Sequence, residues 1–267
     1  RDNRLAILDT RDGKQLGSLQ TGIAPFAVVA DEDASVAYVS NWGGRMPNAG
    51  DLTAPTGLAA EADRVVIDKR GIASTGTVTK FDLKTMQPGK IVLTGLHPTG
   101  LAWDLKRARL YVANANSDSI SVVDTRTDTV AQTIRLRPFA KDAAGIAPTA
   151  LALSPDGATL YAACGGINAV AVLDAGTGAL RGMIPTGWYP SSLSVSGDGK
   201  HVAIGTLLGA GSGWRDAPAK RFVHSYRGSV HVVAVPDDAT HTQSPWRRTR
   251  DCRLPERCSK PRSRAAM

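Results

Sequence analysis

One motif, Gly-x-x-Pro-x-x-[Leu/Val], occurs four times in this 267-residue chain and strongly limits what the chain can fold into. Its prolines are Pro25, Pro98, Pro148 and Pro190. Thirteen residues after each proline stands Tyr, Tyr, Tyr or Ala, and sixteen residues after it stands Asn, Asn, Cys or Thr. Markers that stay in phase indicate an internal repeat, and the shortest spacing, 42 residues, is typical of a four-stranded propeller blade.

Each copy of the repeat has the period-two pattern of short strands. In the third copy, β-branched and aromatic residues alternate with others over 149–154, 159–163, 169–174 and 179–185. Asp-Gly pairs, as at Asp156-Gly157, are typical of the tight turns that join such strands. With no helical period anywhere, the sequence predicts an all-β fold, a β-propeller of four-stranded blades.

Two copies carry insertions after their second strand, at 43–76 and 207–227. The connections of a four-stranded antiparallel meander alternate between the two ends of the sheet. Both insertions and all four Gly-x-x-Pro loops are therefore predicted to lie on one face of the propeller. Variable loops on a repeated scaffold commonly form binding sites, so this face is the predicted binding face.

The net charge of +8 is unevenly distributed along the chain. Residues 240–267 carry a net +6, which leaves +2 for a predicted propeller domain over 1–239. The small charge of this domain argues against nucleic acid as its partner. The composition, 42% hydrophobic and 21% charged, is that of a globular chain, and no apolar run is long enough to span a membrane.

The candidate binding residues lie on or beside the predicted binding face. Trp42, Trp188 and Tyr189 offer flat surfaces for a ligand, a peptide or bases, although they could instead pack against the insertions or a neighbouring domain. His97 occupies the variable dipeptide of a Gly-x-x-Pro loop. The full candidate set is Asn41, Trp42, Arg45, His97, Trp188 and Tyr189. The His and Cys spacings predict no metal site, and the sequence predicts no cofactor and no catalytic residues.

Several segments resemble a known family. Leu110-Tyr-Val-Ala-Asn114 followed by Ser119-Ile-Ser-Val-Val-Asp124 resembles the YVTN repeat of bacterial, YncE-like β-propellers. The body is similar to a subgroup fused ahead of an alkaline-phosphatase-superfamily phosphoesterase, and this likeness covers roughly 1–238. The segments that carry it are Asn41-Trp-Gly-Gly-Arg45, Gly71-Ile-Ala-Ser-Thr-Gly-Thr77, Gly187-Trp-Tyr-Pro-Ser-Ser-Leu193 and Tyr226-Arg-Gly-Ser-Val-His-Val-Val233.

The resemblance implies a seven-bladed propeller, of which this chain holds about four and a half blades starting at a third strand. It also implies an exported bacterial protein whose partner is a phosphoesterase domain. No nucleophile or metal-ligand motif of that domain follows Asp238, so its activity is not expected here. The basic tail over 240–267 is predicted to be disordered or to arise from a frameshift.

The expected function is therefore a non-catalytic binding or scaffold module, the accessory part of a phosphoesterase-fused protein. The alternative is a stand-alone propeller that binds a small ligand or single-stranded nucleic acid.

Overall fold

The computed structural model describes residues 2–31, 33, 35–139, 144–209 and 227–235. Regular structure in this part of the chain consists of β-strands and two three-residue 3-10 turns, Ala115–Ser117 and Gly165–Ile167. Among the described residues, no helix is long and apolar enough to span a membrane. The tail over 240–267 and most of the second predicted insertion, 207–227, lie outside the described residues.

The strands pair into small antiparallel sheets, which we number in chain order. A two-stranded sheet, the half-blade, consists of β1 (Arg4–Leu8) and β2 (Gln15–Gln20). Blade I consists of β3 (Ile23–Ala30), β4 (Val36–Gly44), β7 (Thr77–Asp82) and β8 (Gln87–Leu93). A hairpin of β5 (Thr53–Pro55) and β6 (Arg64–Val66) lies in the first insertion.

The remaining blades repeat the same plan. Blade II consists of β9 (Pro98–Asp104), β10 (Arg109–Asn114), β11 (Ser119–Asp124) and β12 (Thr129–Arg135). Blade III consists of β13 (Pro148–Leu153), β14 (Thr159–Cys164), β15 (Ala169–Asp174) and β16 (Leu180–Pro185). Blade IV consists, among the described residues, of β17 (Pro190–Val195), β18 (His201–Thr206) and β19 (Ser229–Ala234).

This architecture confirms the predicted all-β propeller. The four strands predicted for the third copy match β13 to β16 to within one residue at each end. The predicted Asp-Gly turns are also confirmed. Gly157 and Gly199 have φ of +68° and +72°, a conformation that glycine adopts without steric cost. The seven blades of a closed ring stay a prediction.

Successive sheets stack face to face, and the core lies between them. Between blades II and III, Ile120 and Val122 belong to the same buried cluster as Ala171 and Leu173. We call the side of a sheet that faces the next blade in the chain its downstream face, and the opposite side its upstream face. Each strand thus contributes alternate residues to two different interfaces, as the period-two pattern requires.

The tyrosine marker of the repeat joins one blade to the next. Tyr111 is fully buried, and its hydroxyl donates a 2.8 Å hydrogen bond to the carbonyl oxygen of Ala175 in blade III. Tyr38 takes the same position in blade I, and its hydroxyl donates a 2.6 Å hydrogen bond to Asp128 of blade II. Blade IV has Ala203 at this position.

Candidate binding face

Backbone hydrogen bonds bring the two kinds of loop together, as the alternation of connections predicts. In blades II, III and IV, the residue before the proline accepts a hydrogen bond from the turn that joins the second and third strands of its own blade. The three bonds are Ala115 N to His97 O at 3.0 Å, Gly165 N to Ala147 O at 2.9 Å, and Leu207 N to Tyr189 O at 2.9 Å. We call this side of the molecule the loop-bearing face.

The residue before the proline is held in the left-handed region in every copy. Its φ is 52° at Ala24, 52° at His97, 50° at Ala147 and 56° at Tyr189. Residues with a β-carbon rarely adopt this conformation, because it costs steric energy that the surroundings must offset.

A side chain from the preceding sheet stabilises this conformation in three copies. The backbone N–H of Ala24 donates to Asn3 Oδ1 at 2.8 Å, and that of Tyr189 donates to Asn168 Oδ1 at 2.9 Å. In blade II, Asp118 accepts from Ala147 N at 2.9 Å. Sequence analysis missed these acceptors, although an Asn or Asp directly before a third strand, as in the half-blade, blade II and blade III, was a signal that could have identified them.

Trp42 and His97 form one aromatic surface across the junction of blades I and II. Their rings are stacked, with centroids 4.0 Å apart and an angle of 17° between the planes. Trp42 extends from β4 and keeps 38% of its surface exposed. Burial lowers the pKa of His97, and a hydrogen bond with the Asn116 side chain partly opposes this effect. At neutral pH the pair therefore presents an uncharged imidazole against the indole ring.

A second aromatic surface lies at the junction of blades III and IV. Trp188 and Tyr189 are 49% and 40% exposed, and Leu207 beside them is also exposed. Hydrogen bonds from Trp188 N to Gly209 O at 2.6 Å and from Leu208 N to Trp188 O at 3.1 Å hold the segment. We call Trp188, Tyr189 and Leu207 the blade IV patch.

Asn41 does not belong to either surface. Its side chain is fully buried, and its Oδ1 accepts a 3.0 Å hydrogen bond from Gly22 N. Its Nδ2 donates to the hydroxyls of Thr77 and Thr79 at 3.1 and 2.9 Å. Because the amide is engaged on both sides within blade I, Asn41 fixes the Gly-x-x-Pro loop to the sheet, and we leave it out of the binding face.

Arg45 is engaged by a neighbouring carboxylate. Its guanidinium donates to both oxygens of Asp51, at 2.7 and 3.0 Å, and to the carbonyl oxygen of Met46. The pKa of Asp51 falls to about 2, first because of the hydrogen bond from Arg45 and then because of one from Asn48 N. The pair closes the first loop of the insertion, so an anionic ligand would have to compete with Asp51 for Arg45.

A cleft of about 820 Å³ lies beside Trp42, and Asn3, Arg4, Ala24 and Phe26 are among its lining residues. In the part of the chain that the structure describes, no group of three His, Cys, Asp or Glu side chains is placed to hold a metal ion. Cys164 is buried, which raises the pKa of its thiol to about 12, so it stays protonated at neutral pH.

The fold and this face define the chain as a β-propeller with loops of unequal length on one side. Among solved structures it is similar to Kuenenia stuttgartiensis hydrazine synthase, with a TM-score of 0.50 and 26% identity over 68% of this chain. The matched region spans 42% of that protein's chain. No family model and no curated protein matches the sequence. The structural similarity supports the propeller fold.

Proposed function

We propose that the chain is a non-catalytic binding module whose loop-bearing face docks a partner domain. One observation carries this proposal: the dipeptide between Gly and Pro is aromatic and exposed in blade IV, but is Ile-Ala with a buried isoleucine in two other copies. Blade III has Ile146 and Ala147 where blade IV has Trp188 and Tyr189, and Ile146 is 1% exposed against 49% for Trp188. An Ile-Ala pair is sufficient for the fold, so Trp and Tyr have a purpose other than loop geometry.

Large exposed aromatic side chains are typical of interface hot spots, because they bury much apolar area at little cost in conformational entropy. Leu207 enlarges the blade IV patch, and Trp42 provides a further exposed ring on the same face. In line with the YncE-like resemblance, we propose that the partner is a phosphoesterase domain of the alkaline-phosphatase superfamily and that the protein is exported.

The test uses such a phosphoesterase domain, produced separately from a protein that carries a propeller of this kind. Isothermal titration calorimetry measures its binding to the wild-type chain and to Trp188→Ile/Tyr189→Ala, which carries the blade III residues in blade IV. We expect the double variant to bind at least about tenfold more weakly, as loss of a hot spot would require. Ile91→Ala, which truncates an exposed side chain on β8, serves as the matched control and should bind like wild type.

Lack of binding by the wild-type chain would contradict a docking role for this face. The same titration with oligothymidylate of about 20 nucleotides tests the alternative function, since aromatic stacking and salt-sensitive affinity are typical of single-strand binding. Binding that is lost in Trp42→Ala and weakens with salt would favour that alternative. Hydrolysis of p-nitrophenyl phosphate by the chain alone would contradict the non-catalytic role.

A further inference from the structure

A polar groove lies between blades I and II, beside the loop-bearing face. Its volume is about 710 Å³, which is within the range of pockets that hold small ligands. The end of β8 forms one wall, β12 forms the other, and β11 forms the floor. We call this cavity the blade I–II groove. The polar side chains that blade II contributes to it include Ser119, Ser121, Thr133 and Arg135.

Strand pairing places these four side chains on one face of blade II. In the register of β11 and β12, Ser119 lies opposite Arg135 and Ser121 lies opposite Thr133. Residues that lie opposite each other in an antiparallel pair have their side chains on the same face of the sheet. Val123, two residues further along β11, belongs to the buried cluster that includes residues of blade I. The four polar side chains are therefore on the upstream face of blade II, which faces blade I.

The equivalent positions of blade III are apolar. There Ala169 pairs with Pro185, and Ala171 pairs with Met183. The cavity between blades II and III is only about 150 Å³, and the residues that β15 and β16 contribute to it are apolar. Two blades of the propeller thus pack together with Ala, Met and Pro at these positions. The fold alone does not require the Thr and Arg of blade II.

Asn114 holds the two serine hydroxyls at the floor of the groove as hydrogen-bond donors. Its Nδ2 donates to Ser119 Oγ at 3.3 Å and to Ser121 Oγ at 3.0 Å. A hydroxyl that accepts from an amide keeps its own proton to donate. Asn41 contacts two threonine hydroxyls in the same way in blade I, so this amide contact belongs to the fold. In blade II serine replaces threonine, and the two missing methyl groups leave room above the floor.

The charged side chains described along the groove are Arg135, Arg137 and Asp118. The carboxylate of Asp118 is already engaged, because its oxygens accept hydrogen bonds from Gly145 N at 2.8 Å and Ala147 N at 2.9 Å. Among the described residues, none forms a hydrogen bond or an ion pair with the guanidinium of Arg135. This guanidinium can therefore pair with an anion that enters the groove.

We propose that the blade I–II groove binds a small organic anion, whose carboxylate or phosphate group pairs with Arg135. Further oxygen atoms of the ligand accept hydrogen bonds from the hydroxyls of Ser119, Ser121 and Thr133. A guanidinium binds either acidic group through two parallel N–H···O bonds, so Arg135 also orients the ligand. This site is separate from the blade IV patch, which lies between blades III and IV, so each proposal can fail without the other.

Isothermal titration calorimetry with citrate and with glucose 6-phosphate tests the proposal, and glucose is the uncharged probe. We expect at least one of the two anions to bind the wild-type chain about tenfold or more tightly than glucose does, and the anion that binds distinguishes a carboxylate from a phosphate ligand. Arg135→Gln should weaken this binding by about tenfold or more, because it removes a charged hydrogen-bond donor. Arg126→Gln is the matched control and should bind like wild type, since Arg126 is exposed and follows the far end of β11.

A second variant tests whether the anion occupies the groove itself. Thr133→Met introduces the blade III residue, which fills the groove without a change of charge, and it should also weaken binding by about tenfold or more. Circular dichroism checks that both variants are folded. Lack of binding of both anions by the wild-type chain would overturn the proposal. So would an affinity that either folded variant leaves unchanged, or glucose binding as tightly as the anions.

Discussion

Tyr189 N donates a 2.9 Å hydrogen bond to Asn168 Oδ1, which joins blade IV to blade III at the residue whose left-handed conformation begins the inner strand. Asp118 makes the same contact to Ala147 one blade earlier. A side-chain acceptor on one sheet thus fixes the Gly-x-x-Pro loop that precedes the first strand of the next sheet. This loop presents side chains on the loop-bearing face.

Removal of this acceptor should loosen the junction of blades III and IV. Asn168 itself has φ of +55°, so Asn168→Gly removes the acceptor without adding backbone strain. We expect the free energy of unfolding to fall by about 1 kcal/mol, the usual contribution of one hydrogen bond. Urea denaturation measures the change. Asn168→Asp is the matched control and should retain wild-type stability, because blade II uses Asp118 at this place.

Loss of the buried tyrosine hydroxyl in blade II should destabilise the propeller. Tyr111→Phe leaves the carbonyl oxygen of Ala175 without its 2.8 Å donor, and we expect a loss of about 1–2 kcal/mol in the free energy of unfolding. Tyr161→Phe is the control, since no described residue hydrogen-bonds that hydroxyl. Equal losses in the two variants, measured by urea denaturation, would argue against the role given to the Ala175 contact.

Stability should depend on pH through His97. Burial holds its pKa below the 6.5 of an ordinary histidine, so the unfolded chain binds the proton more readily than the folded chain. The free energy of unfolding should therefore fall as the pH drops below about 6.5 toward the folded pKa. His97→Ala should flatten this dependence without disrupting the loop, because Ala24 and Ala147 occupy the same position in other copies. A wild-type pH profile that the substitution leaves unchanged would contradict the assignment.

The bounds of the strands could be predicted closely because the spacing of the repeat fixes where each strand begins and ends. Each Gly-x-x-Pro loop starts an inner strand, and the Tyr and Asn markers fall at fixed positions of the second strand, so the bounds of β13 to β16 follow from the spacing. The insertion hairpin β5–β6 has no repeat to place it, and the sequence predicted only an insertion there, without strands.

The sequence predicted on which face the candidate binding residues lie, but not which side chains they contact. The shared face of Trp42, His97 and the Trp188–Tyr189 pair follows from the order of the strands. The stacking of Trp42 on His97 joins two blades and depends on a side-chain contact that no local pattern encodes. Asn41 lies within β4 beside the face, yet its hydrogen-bonding groups point inward to Thr77, Thr79 and Gly22.

We propose that Trp188 and Tyr189 serve binding rather than the fold, and the unfolding free energy of Trp188→Ile/Tyr189→Ala is the measurement that tests this proposal. We expect a free energy of unfolding within about 1 kcal/mol of wild type, as is usual for surface substitutions and as the Ile146–Ala147 pair of blade III suggests. A loss of about 3 kcal/mol or more, the scale of a truncated core aromatic, would contradict it and would make the two rings part of the packing.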